Sequence, residues 1–404
     1  MKKIILFLAI TMSFVACESA KDALKDPITP GIVNGKLTGG LQSGAVELFK
    51  QSVRTVPSDQ NVIISPLSIQ YAFGMAANGA SGQTLDEIMR VMGATPDQLK
   101  DVNSNLKGLK EALAGSSKDY NLGLANGVFY DISKFQMSSS YESTLNDVYQ
   151  ARLQQLNFND VERSVESINA WVASNTEQRI RKVLDGIQDN EFMFLINALY
   201  MKASWDKPFP VETTFDSKFK TSDESERNIQ LMNQRDYISY YGSDDEKAIV
   251  MPLSGGKLEA LFVLPGKLNV ISYINTLSKD HIEKMYANAV AKDLMLGLPK
   301  TELLLKYDLK AIMQDMGIRT PFSDAADFTK MGVADGKIVL TRALHDVFMK
   351  MDEKGIEGAA VTTIGVGTTS MPEYVGFGRP FVMIVRDKAT GAYLFMGKIE
   401  DPTK

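Results

Sequence analysis

The chain has 404 residues, 44% hydrophobic and 23% charged, which is the make-up of a folded globular protein and excludes wholesale disorder. That length exceeds one ordinary domain, so the chain holds either two domains or one large mixed fold. A formal net charge of −5 excludes a general electrostatic pull towards nucleic acid, and the short basic run Arg179, Arg181, Lys182 reads as a solvated helix face.

At the N-terminus, Lys2 and Lys3 precede an apolar stretch from Ile4 to Val15, shorter than the roughly 20 residues of a bilayer-spanning helix. A basic start, a short apolar centre and small residues at its end make residues 1–16 a secretory signal. The only cysteine, Cys17, follows at once and has no partner for an internal disulfide. Phe14-Val15-Ala16-Cys17 resembles the lipobox of bacterial lipoproteins. That likeness implies lipidation of Cys17, attachment to a membrane through the lipid, and a place in the bacterial cell envelope as an outer-membrane lipoprotein, facing the periplasm or the exterior. A plain signal peptide with an incidental cysteine is the alternative. Residues 17–40 carry Pro27, Pro30, Gly31, Gly35, Gly39 and Gly40 without a sustained apolar period, and read as a flexible tether. With no further linker and no internal repeat, residues 41–404 are expected to form one domain.

Helices are expected first. Ser65-Pro66 supplies an N-cap hydroxyl and a proline at the first helical position, with Ile69, Phe73 and Ala76 on the buried face. Thr84-Leu85-Asp86-Glu87 reads as a capping box, with Gly93 stopping the helix it starts. Val165, Ile168 and Val172 continue an amphipathic pattern as far as Ile180, with Trp171 beside it. Strands are expected later, at Phe194–Lys202, Leu258–Leu264, Leu294–Leu298, Lys337–Lys350, Phe381–Arg386 and Tyr393–Ile399. Helices followed by strands in this order indicate an α+β fold.

Catalytic chemistry is poorly served. There are two histidines, His281 and His345, and neither stands in a zinc-binding or metalloprotease spacing. No nucleophile elbow and no phosphate-binding loop occurs. His345 lies in the strand-like alternation Leu344-His345-Asp346-Val347-Phe348 and reads as a hydrogen-bonded core histidine. No cofactor or metal is called for, and the chain is not expected to be an enzyme.

Between Glu353 and Ser370 the composition changes. Glycines and small residues alternate with Val361, Thr362, Thr363, Ile364 and Val366, and from Ile356 to Ser370 the one charge is Glu357. Glycine gives freedom, β-branched residues give strand propensity, and no proline blocks a sheet ladder. On periodicity alone this is either a glycine-rich loop or a segment able to become a strand. If it does become one, period two places Ile356, Gly358, Ala360, Thr362, Ile364, Val366 and Thr368 on one face, none of them charged. Glu357, Ala359 and Val361 fall on the other.

Here the sequence resembles the serpin family over nearly all of residues 41–404. Glu353-Lys354-Gly355-Ile356-Glu357-Gly358-Ala359-Ala360 is similar to the family hinge. Upstream, the likeness rests on Asn61 with Ser65-Pro66-Leu67-Ser68, Asn169-Ala170-Trp171-Val172, and Leu195-Ile196-Asn197-Ala198-Leu199-Tyr200-Met201-Lys202 with Trp205. Phe377-Gly378-Arg379-Pro380-Phe381 and Leu394-Phe395-Met396-Gly397-Lys398-Ile399 complete it in order. The resemblance implies helices around three β-sheets, a large central sheet, and an exposed reactive-centre loop over residues 353–375. It implies a monomeric, non-enzymatic inhibitor that traps target proteases covalently: the loop is cut and then inserts into the central sheet. Loop length places the reactive bond at Thr369-Ser370, flanked by Val366, Gly367, Thr368 and Met371. Thr369 suits elastase-like and subtilisin-like serine proteases, with cysteine proteases as a further class. Ser65, Ser68, Asn197 and His345 would lie beneath the part of the sheet that opens, and Trp205 where the loop first enters. Ile356 stands where the family usually has Thr or Ser, and a non-inhibitory carrier or binding module is the alternative function.

Overall fold

The structure, a computed structural model, describes residues 35–117, 119–267, 269–357 and 372–404. Helices fill the first part: α1 (Gly35–Thr55), α2 (Pro66–Gly79), α3 (Gly82–Val91), α4 (Leu99–Leu113), α5 (Ser139–Asp147) and α6 (Val161–Asn175). The start of α1 corrects the tether reading, because Gly39 and Gly40 are helical and Leu37 and Thr38 are already buried. Gly40, and Gly44 one turn on, serve close contact. A Cβ on Gly40 would stand 2.7 Å from the Gly93 carbonyl oxygen, and one on Gly44 2.6 Å from that of Val91.

Helix α2 begins as its sequence dictates. The Ser65 hydroxyl caps it by accepting the Ser68 N–H, Pro66 occupies the first turn, and Ile69, Phe73 and Ala76 are buried. Helix α3 departs from expectation: it starts at Gly82 after Ser81, so Thr84 and Glu87 lie inside it. The Thr84 hydroxyl accepts the Asp327 N–H at 2.8 Å, and Glu87 accepts the N–H groups of Arg319 and Thr320, each at 2.7 Å. The pair that looked like a local cap instead fastens α3 to a distant segment. Helix α6 stops at Asn175, short of Ile180, and Arg179, Arg181 and Lys182 follow in turn and irregular chain instead of on a helix face.

Among the described residues there are three sheets, of seven, nine and two strands. The seven-stranded central sheet is built from β1 (Tyr120–Asp131), β2 (Arg152–Leu156), β3 (Met193–Ser204), β4 (Thr301–Asp308), β5 (Leu344–Asp352) and β6 (Gly355–Ile356), with Ser116–Ser117 at its margin. Its order is β4-β5-β6-β3-β1, and β2 runs parallel to β1. Antiparallel pairing is long between β1 and β3, from Tyr120↔Ala203 to Tyr130↔Met193, and between β4 and β5, from Thr301↔Met351 to Asp308↔Leu344. The strand expected from Lys337 begins only at Leu344. Before it, Thr341 and Arg342 turn their side chains to Glu191, and the Leu340 N–H goes to Pro321.

The nine-stranded sheet carries the two C-terminal strands, Phe381–Asp387 and Tyr393–Ile399, which pair with each other and with Leu258–Pro265 and Val62–Ile64. Each opens on a continuous apolar run, Phe381 to Val385 and Tyr393 to Met396, and both are buried along nearly their whole length. The fold is α+β, with helices and three sheets, as the sequence implied.

Candidate functional site

Strands β3 and β5 lie on either side of a slot. Among the described residues they are joined only by β6, whose two residues pair Gly355↔Ser204 and Ile356↔Ala203 on one side, and Met351↔Ile356 and Asp352↔Gly355 on the other. Gly355 sits at φ +154°, and a Cβ there would collide with the Ala203 carbonyl, so only glycine lets the chain enter between the strands. Ile356 is 3% exposed, set among Met201, Phe348, Met383 and Phe395.

The entrance is fastened by hydrogen bonds to the main chain. The Trp205 indole donates to the Asp352 carbonyl at 2.9 Å, the Trp205 main-chain N–H to the Lys354 carbonyl at 3.0 Å, and the Phe209 N–H to the Glu353 carbonyl at 2.9 Å. The Glu353 carboxylate accepts from Lys300 at 2.9 Å and from Thr214 at 2.9 Å. Burial opposes its ionisation, but those bonds outweigh burial and hold the carboxyl below its ordinary range. The sequence placed Trp205 and Glu353 at this end, and the structure brings them together here.

Below β6 the slot widens into a cavity of about 130 Å³. Its walls come from β3 and β5, and its floor from Ile69, Ala72, Phe73 and Ala76 of α2. Ser65, Ser68 and His345 meet at this floor: Nε2 of His345 accepts the Ser65 N–H at 3.0 Å, and Oγ of Ser65 accepts the Ser68 N–H at 3.3 Å. Burial pushes the His345 imidazole down to about 3, so the ring is neutral, with Nε2 free of a proton to accept that bond. Asn197 lines the same cavity but turns to the β1 side, donating to Oδ1 of Asn126 at 2.8 Å. Its own Oδ1 is buried with no hydrogen-bond partner among the described residues. Three of the four expected cluster members are thus directly linked, and the fourth stands on the opposite wall.

The sequence did not disclose the far end of the slot. There Glu191, buried, holds Arg342 through two 2.6 Å bonds and Thr341 at 3.0 Å. Nor did it disclose the surroundings of Glu357. That residue was expected on the outward face; it is 8% exposed, with its carboxylate paired to Arg179. Gly358, Ala359, Ala360, Val366, Gly367, Thr368, Thr369, Ser370 and Met371 lie outside the described residues, as does Cys17. After Pro372, Glu373–Gly376 runs parallel to Val290–Pro299, and Glu373 binds both Lys247 and Lys292. Among the described residues no group of His, Cys, Asp and Glu is gathered as metal ligands.

A central sheet whose strands β3 and β5 part over a cavity, with only Gly355 and Ile356 seated between them among the described residues, is geometry for admitting a strand. Residues 40–402 match the family model described as Serpin (serine protease inhibitor). The chain belongs to the serpin family. It is 27% identical to alpha-1-antiproteinase 2 of Equus caballus over 91% of this chain and 88% of that one. It is 26% identical to the corticosteroid-binding globulin of Pongo abelii, over 93% and 94%. Among solved structures, the thermophilic serpin tengpin in its native state superposes with a TM-score of 0.84 at 26% identity, over 91% of this chain and 95% of that one. Serpins are mostly protease inhibitors that form complexes with target proteases, and the binding globulins among the relatives carry ligands instead. In neither role is a serpin a catalyst.

Proposed function

We propose that this serpin is an inhibitor that traps proteases as a suicide substrate. A target enzyme cuts the loop near Thr369-Ser370, and the freed segment enters the slot between β3 and β5 as a new strand. The observation that carries this reading is Ile356, already seated in the sheet between Ala203 and Met351. Extended from there with period two, residues 358–368 would present an uncharged inward set, so insertion would bury no unpaired charge. Completing a sheet releases the strain of the parted one. Thr369 favours elastase-like and subtilisin-like serine proteases, with cysteine proteases as a further class. Residues 1–16 act as the export signal and Cys17 as the lipid attachment point, which sets the inhibitor in the bacterial outer membrane, facing the periplasm or the exterior.

A second reading, a non-inhibitory carrier, draws on the likeness to corticosteroid-binding globulin and on Ile356 in place of the family's Thr or Ser. Incubation with subtilisin- and elastase-like enzymes separates the two. The inhibitor gives a covalent complex that survives SDS, and its cleaved form gains thermal stability. Cleavage with neither complex nor added stability means a carrier. Ile356→Arg, which would bury a charge at the first inserted position, should turn inhibitor into substrate; undiminished complex formation in that variant would refute the insertion register.

A further inference from the structure

The mouth of the slot is spanned by a side chain that no role described so far uses. After α6 ends at Asn175, Glu177 and Gln178 adopt φ of +44° and +64°, left-handed conformations disfavoured by their Cβ atoms. The turn is fixed by the Gln178 N–H to Ala173 at 2.8 Å and the Arg179 N–H to Thr176 at 2.9 Å. It is tied to one wall of the slot, because the Glu177 carboxylate accepts from the Tyr200 hydroxyl of β3 at 3.0 Å and from Asn121 of β1 at 2.7 Å. Arg179, next in the chain, reaches the other wall. Its guanidinium lies over the Phe348 ring of β5, 5.3 Å from the centroid, and pairs with Glu357.

Glu357 is strained as well. It follows β6 at φ +50°, a non-glycine residue in the left-handed region, with its N–H donated to the Lys350 carbonyl at 2.9 Å. Backbone strain of this kind persists only where the surroundings hold it, and here it lies at Glu357 and in the two residues just before its partner Arg179. The conformation matters because a left-handed residue cannot extend a strand. For residue 358 to enter the sheet, Glu357 must become extended, which swings its carboxylate away from Arg179. Removal of Arg179 instead would leave a buried carboxylate without a counter-charge, a state that resolves by the carboxylate moving into water.

We propose that Arg179 is a positioning residue that parks the reactive loop: its pair with Glu357 keeps Ile356 inside the sheet and halts strand pairing at that step. Intrusion and arrest are then two consequences of one contact. The turn at Glu177 and Gln178 aims the guanidinium, and Phe348 backs it from β5. The importance of parking for trapping rests on the inhibitory reading above; the parking itself does not.

Amide hydrogen–deuterium exchange on the full chain tests this in the peptide spanning residues 353–357. Arg179 is 41% exposed in its side chain, so Arg179→Gln should leave the core intact. Exchange at Gly355–Glu357 should rise by about tenfold or more in Arg179→Gln and in Glu357→Gln, while Arg179→Lys, which keeps the charge, retains most of the protection. Wild-type protection in both neutral variants would overturn the proposal, and so would a loss spread evenly over the central sheet, which marks general destabilisation. Complex formation with subtilisin is scored separately. A wild-type chain that forms no complex removes the inhibitory reading and leaves the exchange result standing.

Discussion

In the nine-stranded sheet, Phe381–Asp387 and Tyr393–Ile399 are paired along their length and buried nearly throughout. In the central sheet, β3 and β5 face each other with no mutual register among the described residues, linked only through Gly355 and Ile356. One sheet is finished and the other is not. The difference teaches where stability and function have been put. Continuous apolar runs, closely packed, carry the fold, and that support lets the central sheet keep its backbone groups ready for another strand.

Substitutions can break or sharpen this contrast. The largest effect belongs to the finished sheet. Phe381 is fully buried against Phe377, Phe262 and Phe219, so Phe381→Ala should cost about 3–5 kcal/mol in urea unfolding. A loss below about 1 kcal/mol would mean that the sheet is not the support assigned to it.

Next comes the slot floor, and it should show as a pH dependence. His345 is held down to about 3 against an ordinary 6.5, so the folded chain refuses a proton that the unfolded chain accepts. Its contribution is therefore present above pH 6.5 and is lost as pH falls towards about 3, at about 1.4 kcal/mol per pH unit. His345→Gln keeps an acceptor for the Ser65 N–H but cannot titrate. Unfolding measured from pH 7 to pH 4 should fall less steeply in that variant; identical slopes would show that the imidazole is not buried neutral.

The smallest effect has the opposite sign. Ala72 lines the cavity beneath the parted strands, and Ala72→Leu fills space without breaking the helix. It should raise stability by about 1 kcal/mol while increasing the fraction of inhibitor that is cleaved without trapping. The comparison fails if enlarging this residue destabilises the chain as truncating Phe381 does.

Much of the scaffold was legible because it depends on near neighbours in sequence. Ser65-Pro66 starts α2 by its own chemistry, and the apolar runs from Phe381 and Tyr393 can only be buried strands. Legibility failed wherever a side chain answered to a distant one. Thr84 and Glu87 have the spacing of a cap, yet their partners lie beyond residue 318. Gly40 looks like linker until Gly93 is seen against it. In the site, the expected cluster of Ser65, Ser68 and His345 was readable from motif order, but Arg179 looked like a surface cation and nothing in the sequence marked Arg342. Their partners, Glu357 and Glu191, adjoin the two ends of a gap that exists only because β3 and β5 do not pair, and pairing is a property of the whole sheet.

The weaving of the C-terminal strands has one more outcome. Tyr393–Ile399 is ladder partner to Val62–Ile64, and Phe381–Asp387 to Leu258–Pro265, so the last stretch of chain is enclosed by residues that precede the loop. A break anywhere in residues 358–371 therefore sheds nothing. It converts one polypeptide into a two-chain assembly held by the interior itself. Once denatured, that assembly has to find its smaller piece by diffusion, so refolding becomes second order and fades on dilution, whereas the intact chain refolds at a rate independent of concentration.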